Sequence, residues 1–253
     1  MMKTHFRPVY GAVLLAGFGL LASCQKHLAV SKSEYKQYGI DQSVGADSAI
    51  IRYYQPYKDK MQAEMNRVVG QTDQALTKPS DPETLMGNFF ADAMLKEGLK
   101  KDPTIQFTLA TKGGLRTTFP KGNITVSHVF ELMPFENEMV VLKLSGPNVQ
   151  QVIDFIAKKD GEPVAGIRMK IRDNKAYDVT IGGEPFDSNK NYNLLTYDYL
   201  ADGGDDLECL RNPLERREIN QKVREALFEN ISDLTRQGKK ITAQLDGRIV
   251  SDK

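Results

Sequence analysis

Apolar residues recur at three- and four-residue spacing in four stretches of the chain and alternate with polar ones in several others. From Asp47, the series Ile50, Ile51, Tyr54, Tyr57, Met61, Met65 and Val68 predicts an amphipathic helix that Pro56 should kink or delay. The segment KPSDPETLMGNFFADAMLKEGLKKDP predicts a second helix, in which Ser80 and Glu83 fit a capping box and Pro82 suits the first turn. Its residues Leu85, Met86, Phe89, Phe90, Ala93 and Met94 make one broad apolar face, read as core. Gly146-Pro147 opens a third helix carrying Val149, Val152, Ile153 and Ile156, and Glu218 to Gln237 predicts a fourth, with Gly238 as its cap. Alternation predicts a half-buried strand through Ile105, Phe107 and Leu109, and a second strand, EMVVLKLS, over Glu138 to Ser145. A hairpin follows over Ile167 to Ile171 and Ala176 to Ile181, then a strand over Tyr192 to Tyr197 and a terminal one within ITAQLDGRIV. Helices and strands mix without strict alternation, so the expected class is α+β, a mixed β-sheet packed with helices.

The N-terminus reads as a targeting segment. Lys3, His5 and Arg7 precede an apolar run from Gly11 to Ala22 that is too short to span a bilayer, and Leu21-Ala22-Ser23-Cys24 follows at once. This resembles a bacterial lipoprotein signal, which implies cleavage after residue 23 and a lipid anchor on Cys24. Residues 24–46 are polar and aperiodic, as in a tether, and residues 47–253 form the expected folded domain. The anchor implies a lipid-anchored protein of the cell envelope. With Gln25 and no acidic residue directly after Cys24, the expected site is the outer membrane, facing the periplasm or the cell surface.

Charge narrows the partners. The chain carries 34 basic and 33 acidic side chains, and losing Lys3 and Arg7 with the signal would take the net charge from +1 to near −1. No basic field exists to hold a nucleic-acid polymer, whereas a small anion held by local groups is compatible. Of the three histidines, only His128 lies inside a patterned region, between apolar neighbours that suit packing better than metal binding. Clustered imidazoles and carboxylates of the kind that build hydrolytic metal sites are absent from the sequence pattern, so no metal is expected on this chain. With Cys24 committed to lipid, Cys209 has no disulfide partner.

Three loops could carry chemistry. Thr111 to Arg116 (TKGGLR) could turn backbone amides toward an anion beside a guanidinium, although Gly-Gly near Arg is also common in plain turns. Phe135 follows a proline just before a strand, and Tyr199 precedes the acid-flanked glycines of YLADGGDD. Two aromatics can sandwich a flat heterocycle, a carboxylate can hold ribose hydroxyls and an arginine can meet phosphate. The competing reading makes Phe135 a core plug and Asp202 to Asp205 a solvated turn. From the loops alone both stand.

The order and spacing of these pieces favours the first. ETLMGNFFADAM, TKGGLR, KGNITVSHVFELMPFENEMVVLKLSG, YDVTIGGEPFDSNKNYNLLTYDYLADGGDD and LDGRI together resemble the C-terminal, substrate-binding domain of the 5'-nucleotidase family, from about Ile50 to the C-terminus. The resemblance implies that Phe135 and Tyr199 stack the base, Asp205 takes the ribose hydroxyls, Arg116 reaches toward phosphate, and Gly113 and Gly114 let the ligand approach the backbone. Thr111, taken with these as a substrate-binding position, stands where the family commonly has asparagine, Ser80 where some members carry another arginine, and Asp206 where glycine is usual. Base stacking should survive these changes better than phosphate binding. In that family a separate metallophosphatase domain holds two metal ions and hydrolyses the substrate, and no segment of this sequence matches it. The expectation is therefore the nucleotide-recognition half of a 5'-nucleotidase, serving nucleotide catabolism with a separately encoded metallophosphatase that carries the divalent metals. The alternative is a non-catalytic nucleoside-binding lipoprotein for capture or sensing.

Overall fold

The computed structural model describes residues 32–41 and 43–252, so the signal segment and Cys24 lie outside the described residues. Residues 32–46 form no regular element where described and are exposed. Helix α1 (Ser48–Met65) is started by Asp47, whose carboxylate accepts from the Ala49 N–H at 2.7 Å. Its apolar series from Ile50 to Met65 is present, with Pro56 inside the helix, whereas Val68, predicted as its last member, belongs to β1; no residue of α1 is buried, so this periodic face has no core beneath it among the described residues.

Body residues from Arg52 onward form three sheets. Strands β1 (Val68–Thr72) and β3 (Gly122–Thr125) make an antiparallel pair. The central sheet comprises β2 (Phe107–Leu109), β4 (Glu138–Ser145), β5 (Val164–Ala165), β9 (Asn191–Tyr197) and β10 (Glu215–Lys222), in the order β10-β4-β9-β2-β5. Strands β6 (Ile167–Arg172), β7 (Lys175–Ile181), β8 (Glu184–Pro185) and β11 (Ile249–Ser251) form the third, with β11 parallel to β6. The β6–β7 hairpin turns through Asp173 and Asn174, both at positive φ as a two-residue turn requires. Strand β2 lies between β5 and β9 with all three residues buried, so it is a covered central strand and not the half-buried one predicted.

Helices α2 (Leu85–Lys101), α4 (Gly146–Lys158) and α6 (Val223–Arg236) pack against these sheets, the short α3 (Val126–Leu132) packs against β3 and α6, and the one-turn α5 (Asp198–Ala201) follows β9. Thr84, not Ser80, caps α2, its hydroxyl accepting from the Gly87 N–H at 3.0 Å. Glu83 is drawn away from capping because its carboxylate accepts from the N–H groups of Asp246 and Gly247 and from the Asn88 side chain. The predicted fourth helix also starts late: Glu218 and Ile219 belong to the edge strand β10, and the helix begins at Val223. Its end agrees with expectation, with Gly238 at φ +67° and the Lys239 N–H returning to the Leu234 carbonyl. His128 is a capping residue, its Nδ1 accepting from the Thr125 N–H at 3.0 Å.

The topology gathers the three marked loops. β2 and β9 run parallel and β4 runs antiparallel to β9, with Met139 opposite Tyr197. The chain therefore leaves β2, leaves β9 and enters β4 at the same end of the central sheet.

Candidate ligand cleft

At that end lies a cleft of about 340 Å³. Gly113, Gly114 and Arg116 from the turn after β2 line it, with Phe135 and Asn137 before β4 and Tyr197, Tyr199 and Asp205 at the end of β9 and beyond. Of the predicted residues, six line this one space. Phe135 and Tyr199 keep 41% and 51% of their surface exposed, so neither ring is a core plug.

Each wall is shaped from behind. The loop after β9 turns at Gly203, φ +90°, and Gly204 lies so close to Tyr199 that a β-carbon there would meet the ring at 2.5 Å. Only glycine lets the phenol ring rest on this turn. The Tyr199 hydroxyl donates to Oδ1 of Asp205 at 3.1 Å, and Thr111 Oγ1 donates to Oδ2 at 2.6 Å. Thr111 has spent its single proton on Asp205, so the contact between its Oγ1 and the Tyr197 hydroxyl, 3.3 Å long, has Tyr197 as donor. A buried relay of hydroxyls thus orients Asp205, which sits at φ +55°. Each carboxylate oxygen keeps acceptor capacity for one more donor.

Thr111 is only 2% exposed and is not on the cleft wall. Thr111 therefore does not touch a ligand, contrary to the expectation from the sequence: its hydroxyl is turned inward, toward the carboxylate and phenol that face the cleft. The two glycines also differ. A β-carbon on Gly114 would lie 2.7 Å from the Tyr197 hydroxyl, whereas one on Gly113 would meet nothing closer than 3.8 Å. Gly114 is required by packing, and Gly113 leaves open backbone at the cleft. Beneath the turn, Lys78 Nζ donates to the carbonyls of Lys112 and Leu115, and the Lys112 N–H donates to Glu162 at 2.6 Å. Burial pushes the Glu162 carboxyl up to about 7, against the pull of the Lys112 amide, and the nearby Asp205 charge adds to the rise. Burial likewise pushes the Tyr197 phenol up to about 12.

Arg116 is exposed and folds back, its Nη1 donating to the Gly113 carbonyl at 3.3 Å. Asp206 pairs with Lys159 at 3.6 Å, which offsets its added charge. Three residues were missed by reading the sequence: Asn137, Tyr197 and Glu162. Asn137 stands two positions after Phe135 in the same loop, just before β4, and both line the cleft, so closeness to the aromatic was a usable signal. Its side-chain amide makes no hydrogen bond among the described residues. LDGRI, by contrast, is architectural. Arg248 is 8% exposed and donates to both carboxylate oxygens of Asp92, to Asp246 and to the Val164 carbonyl, away from the cleft.

Among the described residues no group of three or more histidine, cysteine, aspartate or glutamate side chains is placed to hold a metal ion. Residues 68–212 match the family model described as 5'-nucleotidase, C-terminal domain. The 5'-nucleotidase of Vibrio parahaemolyticus is 26% identical over 175 residues, which is 66% of this chain and 30% of that protein. Protein UshA of Escherichia coli is 26% identical over 179 residues, 67% of this chain and 32% of its own length. The chain thus spans about a third of these curated relatives. The solved structure of a 5'-nucleotidase precursor from Thermus thermophilus superposes with a TM-score of 0.68 at 25% identity, over 80% of this chain and 42% of that one. A putative 5'-nucleotidase from Staphylococcus aureus, 14% identical with a TM-score of 0.67, shares the fold. With a family match across more than half of its length and this sheet-end cleft within the matched span, the chain belongs to the 5'-nucleotidase C-terminal domain family.

Proposed function

We propose that this chain is the nucleotide-recognition half of a 5'-nucleotidase-type phosphoesterase, with hydrolysis performed by a separately encoded metallophosphatase that brings the divalent metal ions. The observation carrying this reading is the convergence of two half-exposed aromatic rings and one oriented carboxylate on a single cleft. Phe135 and Tyr199 stack on the base, and the free lone pairs of Asp205 accept the ribose hydroxyls. The Asn137 amide reads an edge of the base, while Arg116 swings off the Gly113 carbonyl to meet phosphate. Water activation is assigned to the partner because no cluster of metal-ligating side chains is present among the described residues. Lipidation at Cys24 would hold the chain at the outer membrane, facing the periplasm or the cell surface.

One observation favours the second reading, a nucleoside-binding lipoprotein for capture or sensing. Arg116 is bonded to its own loop, and no other arginine or lysine lines the cleft, so the ligand without phosphate is the better fit to the isolated chain. Calorimetry of the mature chain with adenosine, AMP and inorganic phosphate separates the two, together with nucleotide hydrolysis assayed after mixing with metallophosphatases of the same cell. Capture gives strong adenosine binding with no gain from phosphate. The recognition-half reading gives AMP hydrolysis that rises when the chain is added, and it fails if no metallophosphatase forms a complex or changes rate.

A further inference from the structure

The Phe135 ring packs on no other aromatic ring among the described residues, while its backbone is held closely. The segment leading into β4 is gripped from one side by the start of α6. Arg224 Nη1 donates to the carbonyls of Met133 and Phe135, both at 3.1 Å, and the Val223 N–H donates to the Asn137 carbonyl at 2.9 Å. Three alternate carbonyls of this loop, 133, 135 and 137, are thereby held by two adjacent residues. The second arm of the guanidinium meets Glu136, which Lys222 also holds at 2.5 Å. These two partners, Lys222 first and Arg224 next, hold the Glu136 carboxyl down at about 2. The guanidinium itself lies 4.2 Å from the centre of the Phe130 ring, which packs in turn on Phe228, and Arg224 is only 8% exposed. A planar fork with stacking on its face and acceptors at its edges has one orientation available, which a flexible ammonium cannot reproduce.

The geometry points to Arg224 as a positioning residue for ligand binding: by fixing the carbonyls on either side of the Phe135 side chain, it sets how far that ring stands from Tyr199 and presents the Asn137 amide to the same ligand. This inference rests on reading the cleft as a nucleoside site. Arg224 touches no ligand, and its effect passes entirely through the loop it holds.

The test uses the full chain with 4-fluorophenylalanine incorporated in place of Phe135, and reads the fluorine resonance without ligand and the adenosine affinity. Arg224→Lys keeps a cation for Glu136 and loses the fork; Arg224→Met loses both. The expected result is a shifted, broadened Phe135 resonance in either variant, larger for methionine. Adenosine affinity should fall about tenfold in the lysine variant, within the range that base–aromatic stacking supplies. Arg248→Lys, in an equally buried network away from the cleft, should lower stability and leave the Phe135 resonance in place. If the methionine variant does not fold, the lysine variant decides. A folded Arg224→Lys protein with an unmoved fluorine line overturns the inference, and so does the same broadening in Arg248→Lys. The ligand-free resonance decides this point even if the unsubstituted chain binds no nucleoside, a result that would sink the reading of the cleft and leave the role of Arg224 in the loop intact.

Discussion

Gly113 and Gly114 are neighbours with opposite reasons for lacking a side chain. A methyl at Gly114 runs into the Tyr197 hydroxyl, so Gly114→Ala should lower stability by about 1–3 kcal/mol in a urea titration. Gly113→Ala should change stability by less than about 0.5 kcal/mol, yet weaken ligand binding because its methyl projects where the backbone is open. Phe135→Ala should behave similarly, costing little stability for a ring already 41% exposed while removing roughly 1–3 kcal/mol of stacking with a base. Equal affinity for adenosine before and after that truncation would contradict the stacking role. Glu162 gives a pH prediction. Its carboxyl ionises near 7 in the folded protein against an ordinary 4.5, so the folded state holds the extra proton between those values. Stability from this group is full below about pH 4.5, declines as pH rises, and is lost above pH 7, a difference of about 3 kcal/mol at most. Glu162→Gln should flatten the stability profile between pH 5 and 8, and an unchanged slope would mean that another group titrates. The aromatic, acidic and glycine positions of the cleft were legible in the sequence because each belongs to a local motif. Glu162 was not, since its burial arises from a loop packed beneath a turn some fifty residues earlier, and no local pattern encodes that.

Strand β10 shows where element prediction fails. In ERREINQK the one strongly apolar residue, Ile219, stands four positions before Val223 and continues the helical series, so the periodicity extends the helix backward. The strand is decided by its pairing with β4, which supplies the backbone partners that an edge strand full of charge cannot advertise. Strands β4 and β9 were legible because their apolar residues run almost unbroken between turn signals. The start of α2 moved for a related reason: Glu83 found partners in the chain terminus and Thr84 took the cap. Thr84→Ala should cost about 1 kcal/mol, read as a lower midpoint in thermal or urea unfolding. Ser80→Ala should leave that midpoint in place, since Ser80 caps nothing.

At the scale of the molecule, the cleft depends on the relative direction of three central strands, and the body on a lock that lines no part of it. Arg248 joins the chain end to α2 through Asp92 and to β5 through the Val164 carbonyl. Arg248→Met removes the cation from carboxylates that are partly exposed, Asp92 and Asp246, and leaves the Val164 carbonyl unpaired, and should destabilise by about 1–3 kcal/mol. Hydrogen exchange should then rise in β6 and β11, where the terminal strand docks, more than around the cleft. Uniform loosening of all three sheets would show the lock to be no more than part of the general core. The class, the mixed sheet and most strand positions could be read in advance; the division into three sheets could not, because it follows from which edges meet.

Strand β11 occupies residues 249–251 of a 253-residue chain and is paired in parallel with a strand some eighty positions earlier. The β6–β7 hairpin is therefore made some seventy residues before the strand that covers its outer edge, and until that strand is made the edge of β6 presents unpaired backbone groups. Closing this sheet is a non-local step, slower than forming the hairpin it completes.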